Sequence, residues 1–238
     1  MEEPFELLPW DSDFLGYEVY RINRQLPGEE ALAAMLAEMP ATAQLIYYPS
    51  RYPVAVTTPS LQRFRGFEAD IKTTYVKHAL RQGAMPANII SYTADAPNEQ
   101  LLQLAIQSGV WSRFSRDPRI GPDRFEALYT IWMRNSVNRT IARDVLIYET
   151  GGEIAGVVTV GEKRQRADIG LLAVAENHRG KGIGRTLMAA AEQWAIAQGH
   201  TSLQVVTQGL NKPACMLYEK SGCTVEEALY FYHFWPQA

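Results

Sequence analysis

The stretch that constrains this chain most is ADIGLLAVAENHRGKGIGRTLMAAAEQWAIAQ, residues 167–198, in which an apolar strand-like run hands over to a helix-like one. The hand-over segment His178–Gly184 packs Arg179 and Lys181 among Gly180, Gly182 and Gly184, and Arg185 follows at once. Glycine removes side chains, so backbone N–H groups can come close to a ligand. A helix N-terminus adds unpaired N–H groups and partial positive charge. A turn over Gly180, Lys181, Gly182, Ile183 and Gly184 that opens a helix and carries three cations suits a phosphate or pyrophosphate. The competing reading makes the cations ordinary solvated surface charges. A P-loop would need GxxxxGK[ST], and a dinucleotide fold GxGxxG with an acidic residue about 20 positions on; neither is present. What is present is Arg-x-x-Gly-x-Gly: Arg179, Gly182 and Gly184.

The charge is local. Net charge over 238 residues is −3, which argues against general nucleic-acid binding. Two cysteines, Cys215 and Cys223, make no disulfide framework and read as small apolar side chains. The N-terminus MEEPFELLPW lacks a basic and apolar leader pattern, and no apolar run reaches the ~18 residues of a membrane span. The expectation is a cytoplasmic protein with no membrane span.

Around the loop the pattern is regular. Strands are expected at 144–150, 153–160, 167–174, 202–207 and 227–235, with Gly151-Gly152 as a hairpin turn and GEKRQR as a polar turn. Helices are expected at 123–138, 182–198 and 211–220. Helix, three strands, helix, strand, helix, strand is an α/β order. Upstream, strands are expected at 17–22, 43–49 and 72–80, and helices at 29–39 and 58–66. Residues 82–97 read as a crossing between domains, followed by a helix from NEQLL that Asp95 caps. The expected boundary gives domains 1–93 and 94–238.

LLAVAENHRGKGIGRTLM resembles the acetyl-CoA loop of the GNAT superfamily of N-acetyltransferases, and NKPACMLYEKSGC matches that family's later segment, with Asn211, Tyr218 and Gly222 in its three places. Glu176 departs from the proline of many members. The resemblance covers about residues 95–235 and implies a mixed central sheet flanked by helices, with acetyl-CoA as co-substrate and no metal. It implies that loop amides hold the CoA pyrophosphate. It also implies that the strand over Leu172, Ala173 and Val174 splays from its neighbour and pairs with pantetheine, and that one N–H there polarises the thioester carbonyl. Asn211 is then an N-cap, a pantetheine contact, or both. Tyr218 is the candidate acid for the departing thiolate. Asp168, Glu162 or solvent would take the amine proton.

A narrower resemblance, carried by WDSDFLG, SGVWSRFSRDP, FEALYTIWMRNSV, IGLLAV and YEKSGCTVEEALYFYHFW, is to the WecD-like enzymes. These acetylate the 4-amino group of dTDP-linked 4-amino-4,6-dideoxyhexoses (the dTDP-fucosamine type), precursors of surface polysaccharide. It implies a partial GNAT-like domain over residues 1–93 and a nucleotide-sugar acceptor. Arg113 would then meet an acceptor phosphate, or simply pair with Asp117. One face of Tyr230–Trp235 would be core, the other an acceptor cleft or a homodimer contact. The alternatives are a GNAT enzyme for another small amine or a protein N-terminus, and a non-catalytic acyl-CoA-binding module.

Overall fold

The computed structural model describes residues 3–236. Two compact units emerge: residues up to Lys72 together with those from Ala228 onward, and Thr73–Glu227. The expected boundary near residue 93 therefore falls inside the second unit, and the C-terminal residues return to the first.

The first unit contains β1 (Phe5–Leu7), α1 (Pro9–Leu15), β2 (Val19–Ile22), α2 (Glu29–Ala37), β3 (Leu45–Ser50), α3 (Pro59–Gln62), the start of β4 (Phe67–Lys77) and the end of β10 (Thr224–Phe234). β1 pairs antiparallel with β2, β2 parallel with β3, and β3 antiparallel with Tyr230–Phe234. Leu32, Met35 and Leu36 of α2 pack on Ile22, Ile46, Tyr48, Tyr232 and Phe234. The expected helix over 58–66 is the single turn α3, and Arg65 then adopts φ 49°, which ends any helical run. Phe231, Tyr232, His233, Phe234 and Trp235 are all buried, so neither face of the tail is open as a cleft or dimer contact. The reason is local: Tyr232 and Phe234 face the α2 core, while His233 lies against the rings of Tyr47 and Phe67 on the other side.

The second unit contains the end of β4, β5 (Ile89–Ser91), α4 (Glu99–Ser108), α5 (Arg113–Arg116), α6 (Pro122–Val137), β6 (Asp144–Thr150), β7 (Glu153–Lys163), β8 (Arg166–Val174), α7 (Ile183–Ala197), β9 (Leu203–Gln208), α8 (Lys212–Lys220) and the start of β10. Its strand order is β4-β9-β8-β7-β6-β5. β5 through β8 pair antiparallel in sequence, and β8 pairs parallel with β9. The expected crossing thus contains a strand, β5. The helix after it is capped by Asn98, whose side chain accepts from the Leu101 amide at 3.0 Å, and not by Asp95. An Asx cap must immediately precede the first helical turn for its oxygen to reach an N2 or N3 amide. The polar turn after β7 is shorter than expected: only Arg164 and Gln165, at φ 53° and 63°, stand between the two strands.

Two helical layers cover this sheet. Leu187, Met188, Ala191 and Trp194 of α7 pack with Leu146, Val158, Val160 and Ile169. Strand alternation turns Val145 and Ile147 to the opposite face, where α4 and α6 lie against β6, β7 and β8. No helix among the described residues is long and apolar enough to cross a membrane.

Candidate functional site

β8 has a neighbour on each side at its start and on one side only at its end. Its ladder with β9 runs Ala167↔Leu203, Asp168↔Gln204, Ile169↔Val205 and stops there. Its ladder with β7 continues to Gly156↔Val174. From Gly170 to Val174 one edge of β8 is therefore open.

Backbone direction decides which amides face that edge. The Ala175 amide donates to Ala155 O at 2.9 Å and the Leu171 amide to Thr159 Oγ1 at 2.8 Å, both toward β7. Amides alternate along a strand. Ala173 therefore belongs to the β7 ladder, and the amides of Leu172 and Val174 point into the opening. Of the three residues expected to meet a ligand here, Leu172 and Val174 present N–H groups to it. Ala173 does not, because the ladder with β7 uses its backbone.

At the end of β8 the chain makes one 3-10 turn, Glu176–His178, and enters the glycine loop. Gly180 and Gly182 have φ 77° and 85°, a region that L side chains rarely adopt. A Cβ at either would point into open space, so the missing side chains leave a cradle. Among the described residues, no amide from Gly180 to Gly184 donates to a protein acceptor. Those donors lie at the positive end of the fifteen-residue α7. Ile183 turns its side chain into the core, so it offers only its amide. Lys181 and Arg185 are exposed. Arg179 bends back and donates from Nε to Val174 O at 3.2 Å, tying the loop to the open end of β8. His178 lies 3.4 Å from Glu153. A pyrophosphate on the loop and an extended amide-bearing arm along β8 fit these donors, as acetyl-CoA requires.

Across the opening stand β9 and α8. Asn211 caps α8, accepting from the Ala214 amide at 3.2 Å, which leaves Nδ2 as the donor it offers. Tyr218 is 5% exposed and its ring lies 5.7 Å from that of Tyr75, so its phenol is not a surface group. Burial, reinforced by the neighbouring Cys223 and Cys215 thiols, pushes its pKa up. The Tyr75 hydroxyl donates to Glu219 at 2.9 Å. Both cysteines are buried and free, and burial pushes the Cys223 thiol up to about 11.

The two carboxylates differ. Asp168 sits at the last rungs before β8 and β9 part, accepting from Gln204 Nε2 at 2.8 Å. Burial raises its pKa, against the downward pull of that bond and of Lys163. Glu162 is half exposed, 3.8 Å from His200. Arg113 lies with its guanidinium 4.3 Å from the centre of the Phe114 ring. Thr159, Gly170 and Gln204 escaped sequence reasoning. Their only linear signal was a glycine interrupting an apolar strand, which marks bulges and close approaches.

By fold and by this cleft, the molecule is an α/β protein with a glycine loop of uncommitted amides at a strand-to-helix turn and a free strand edge beside it. Residues 106–223 match the acetyltransferase (GNAT) family. An acetyltransferase of Pectobacterium atrosepticum is 30% identical over 41% of this chain and 79% of its own length. The chain belongs to the GNAT acetyltransferase family. It is also 36% identical to the dTDP-fucosamine acetyltransferase of Escherichia coli O6:H1, over 62% of this chain and 66% of that protein. The spore coat polysaccharide biosynthesis protein SpsD of Bacillus subtilis is 30% identical over 58% of this chain. The matched regions span 47% of SpsD and 66% of the dTDP-fucosamine acetyltransferase. Among solved structures, a GCN5-related N-acetyltransferase from Kribbella flavida shares the fold, with TM-score 0.56 at 12% identity over 100% of this chain and 89% of that one. A tandem GNAT protein from the clavulanic acid biosynthesis pathway superposes over 92% of this chain and 76% of its own, with TM-score 0.51 at 15% identity.

Proposed function

We propose that the protein is an acetyl-CoA-dependent N-acetyltransferase whose acceptor is the amino group of a nucleotide-linked amino sugar, of the dTDP-4-amino-4,6-dideoxyhexose type, serving surface polysaccharide synthesis. The observation that carries the activity is the open edge of β8 leading into a loop of uncommitted amides at the start of α7. Family membership supports the reaction class. The likeness to a dTDP-fucosamine acetyltransferase and to a polysaccharide biosynthesis protein supports the acceptor. A cytoplasmic location is part of this proposal.

Acetyl-CoA supplies an acetyl group activated as a thioester. The Gly180–Gly184 amides, with Arg179, Lys181 and Arg185, hold its pyrophosphate, and the edge of β8 with Asn211 Nδ2 orients the arm. The Leu172 or Val174 N–H polarises the carbonyl. Tyr218, held neutral by burial, keeps its O–H as a donor for the departing sulfur. Asp168, at the base of the opening, is better placed than the half-exposed Glu162 to draw the amine proton, directly or through a water. Transfer is direct in this reading, since the sequence signals no nucleophile–base pair. The fold likeness to a tandem GNAT protein supports reading the first unit as a partial GNAT-like domain.

The test is release of free CoA from acetyl-CoA against a panel of amines: dTDP-4-amino-4,6-dideoxyhexoses, spermidine, an aminoglycoside and a peptide. Release with the nucleotide sugars alone is expected. Release with another amine keeps the enzyme and discards the acceptor. Tight acetyl-CoA binding with no turnover across a broadened panel would leave a binding module.

A further inference from the structure

The direction of the β8 amides reverses partway along the strand, and one buried hydroxyl sits at the reversal. Ala167 donates to Ser202 O at 3.2 Å, toward β9, and Ile169 is the last residue in that ladder. Two residues later Leu171 donates the opposite way, toward β7. Odd-numbered amides thus face β9 before Gly170 and β7 after it. The register explains the change: Val160 pairs with Ile169 and Val158 with Leu172, so Gly170 and Leu171 together oppose the single residue Thr159. That is a β-bulge, one extra residue on β8. Without it, Leu171 and Ala173 would face the opening, and Leu172 and Val174 would be spent in the ladder.

A bulge leaves a backbone donor out of step with its partner strand. Here Thr159, 1% exposed, fills the gap by accepting the Leu171 amide at 2.8 Å. Gly170 makes room for it: a Cβ there would lie 2.8 Å from Thr159 Oγ1, closer than such contacts come. Gly170 is itself exposed and has no left-handed φ, so crowding against the hydroxyl is the steric reason here for a residue without a side chain.

We propose that Thr159 and Gly170 are positioning residues for acetyl transfer: the Thr159 hydroxyl, seated where Gly170 lacks a side chain, locks the bulge that turns the Leu172 and Val174 amides toward the thioester carbonyl. This rests on the acetyl-CoA reading above. Neither residue touches the substrate; both act through the backbone of β8. Thr159→Val keeps shape and removes the acceptor. Thr159→Ser keeps the acceptor. Gly170→Ala perturbs the same contact from the exposed side, where it is less exposed to failure of folding.

The experiment records the infrared C=O stretch of [1-13C]acetyl-CoA bound to each protein, alongside acetyl-CoA affinity and turnover with the best amine. Bound to the parent, the carbonyl should shift to lower frequency than in water, as a polarised carbonyl does. Thr159→Val and Gly170→Ala should lose most of that shift and about tenfold or more in kcat, with acetyl-CoA affinity within about threefold of the parent. Thr159→Ser should restore both. A parent-like carbonyl frequency and kcat in folded Thr159→Val and Gly170→Ala would overturn the proposal and leave the function intact. Loss of stability alone, with the carbonyl shift unchanged, would also overturn it. Failure of the parent to bind acetyl-CoA would instead overturn the functional reading, and this inference with it.

Discussion

At the scale of single residues, the proposed acid Tyr218 and the proposed base Asp168 are both shifted upward by burial. Raising the pKa of a phenol keeps its O–H as a hydrogen-bond donor to the departing sulfur and weakens it as an acid. Tyr218→Phe is expected to lower kcat by about 100-fold with little change in KM for acetyl-CoA, measured by CoA release. Raising the pKa of a carboxyl narrows the range in which it is a base, so activity should fall as pH drops through the Asp168 pKa. The bond from Gln204 opposes that rise. Gln204→Leu should therefore move the acid limb of kcat/KM upward, by about one pH unit if the bond is of ordinary charge-assisted strength. A limb that stays in place would remove Asp168 from the role of base. The same shift bears on stability. Folding raises this pKa, so the unfolded chain releases its proton first. Stability falls as pH rises from the free carboxyl value to the folded one. Asp168→Asn should flatten that part of a chemical-denaturation series across pH.

At the scale of elements, the start of α7 is the proposed ligand cradle and its interior is a structural beam. Gly182→Ala places a Cβ at φ 85° and into the space the ligand needs. It should reduce CoA affinity by tenfold or more in calorimetry while destabilising the fold by about 1–2 kcal/mol. Deeper in the helix, Glu192 accepts from Lys77 Nζ at 2.7 Å and from the Arg81 amide at 2.6 Å, and Gln193 holds Arg81 O and the Gly83 amide. The Lys77 and Glu192 side chains are only 12% and 11% exposed. Lys77→Met strands a carboxylate and should lose about 3 kcal/mol in urea unfolding, most of it recovered in Lys77→Met/Glu192→Leu. Much of this was legible in advance: every strand and helix expected after residue 120 is present, shifted by a few residues. Hairpin glycines and helical periodicity are local signals, and local signals place elements. The length of α3 and the cap of α4 were less legible, because several polar residues compete for each terminus and geometry chooses among them.

At the scale of the whole molecule, the first unit is built from two distant pieces of chain. Tyr232 and Phe234 are 1% and 0% exposed in the core that α2 covers. Removing residues 228–238 should expose residues 3–72 to proteolysis and rapid hydrogen exchange, while the α7 core keeps its protection. Ligand binding reports the complementary case. Acetyl-CoA at 100 times its Kd should stabilise the native state by about 2.7 kcal/mol, raising Tm by about 5–10 °C in calorimetry.

By itself the sequence determined the order of elements after residue 120, the glycine loop with its three cations, and the family to which both belong, since each follows from spacing along one segment. Tertiary structure alone decided three other matters. Residues 73–93 joined the second unit and 228–236 the first, because the strands within them pair with partners far away in the chain. The aromatic tail was buried on both faces, because apolar partners stand on each side of its strand. Leu172 and Val174, and not Ala173, faced the opening, because Thr159 on the neighbouring strand receives the amide of Leu171 and shifts the register by one. An amide's direction depends on the strand beside it, and no periodicity within one strand records that neighbour's register.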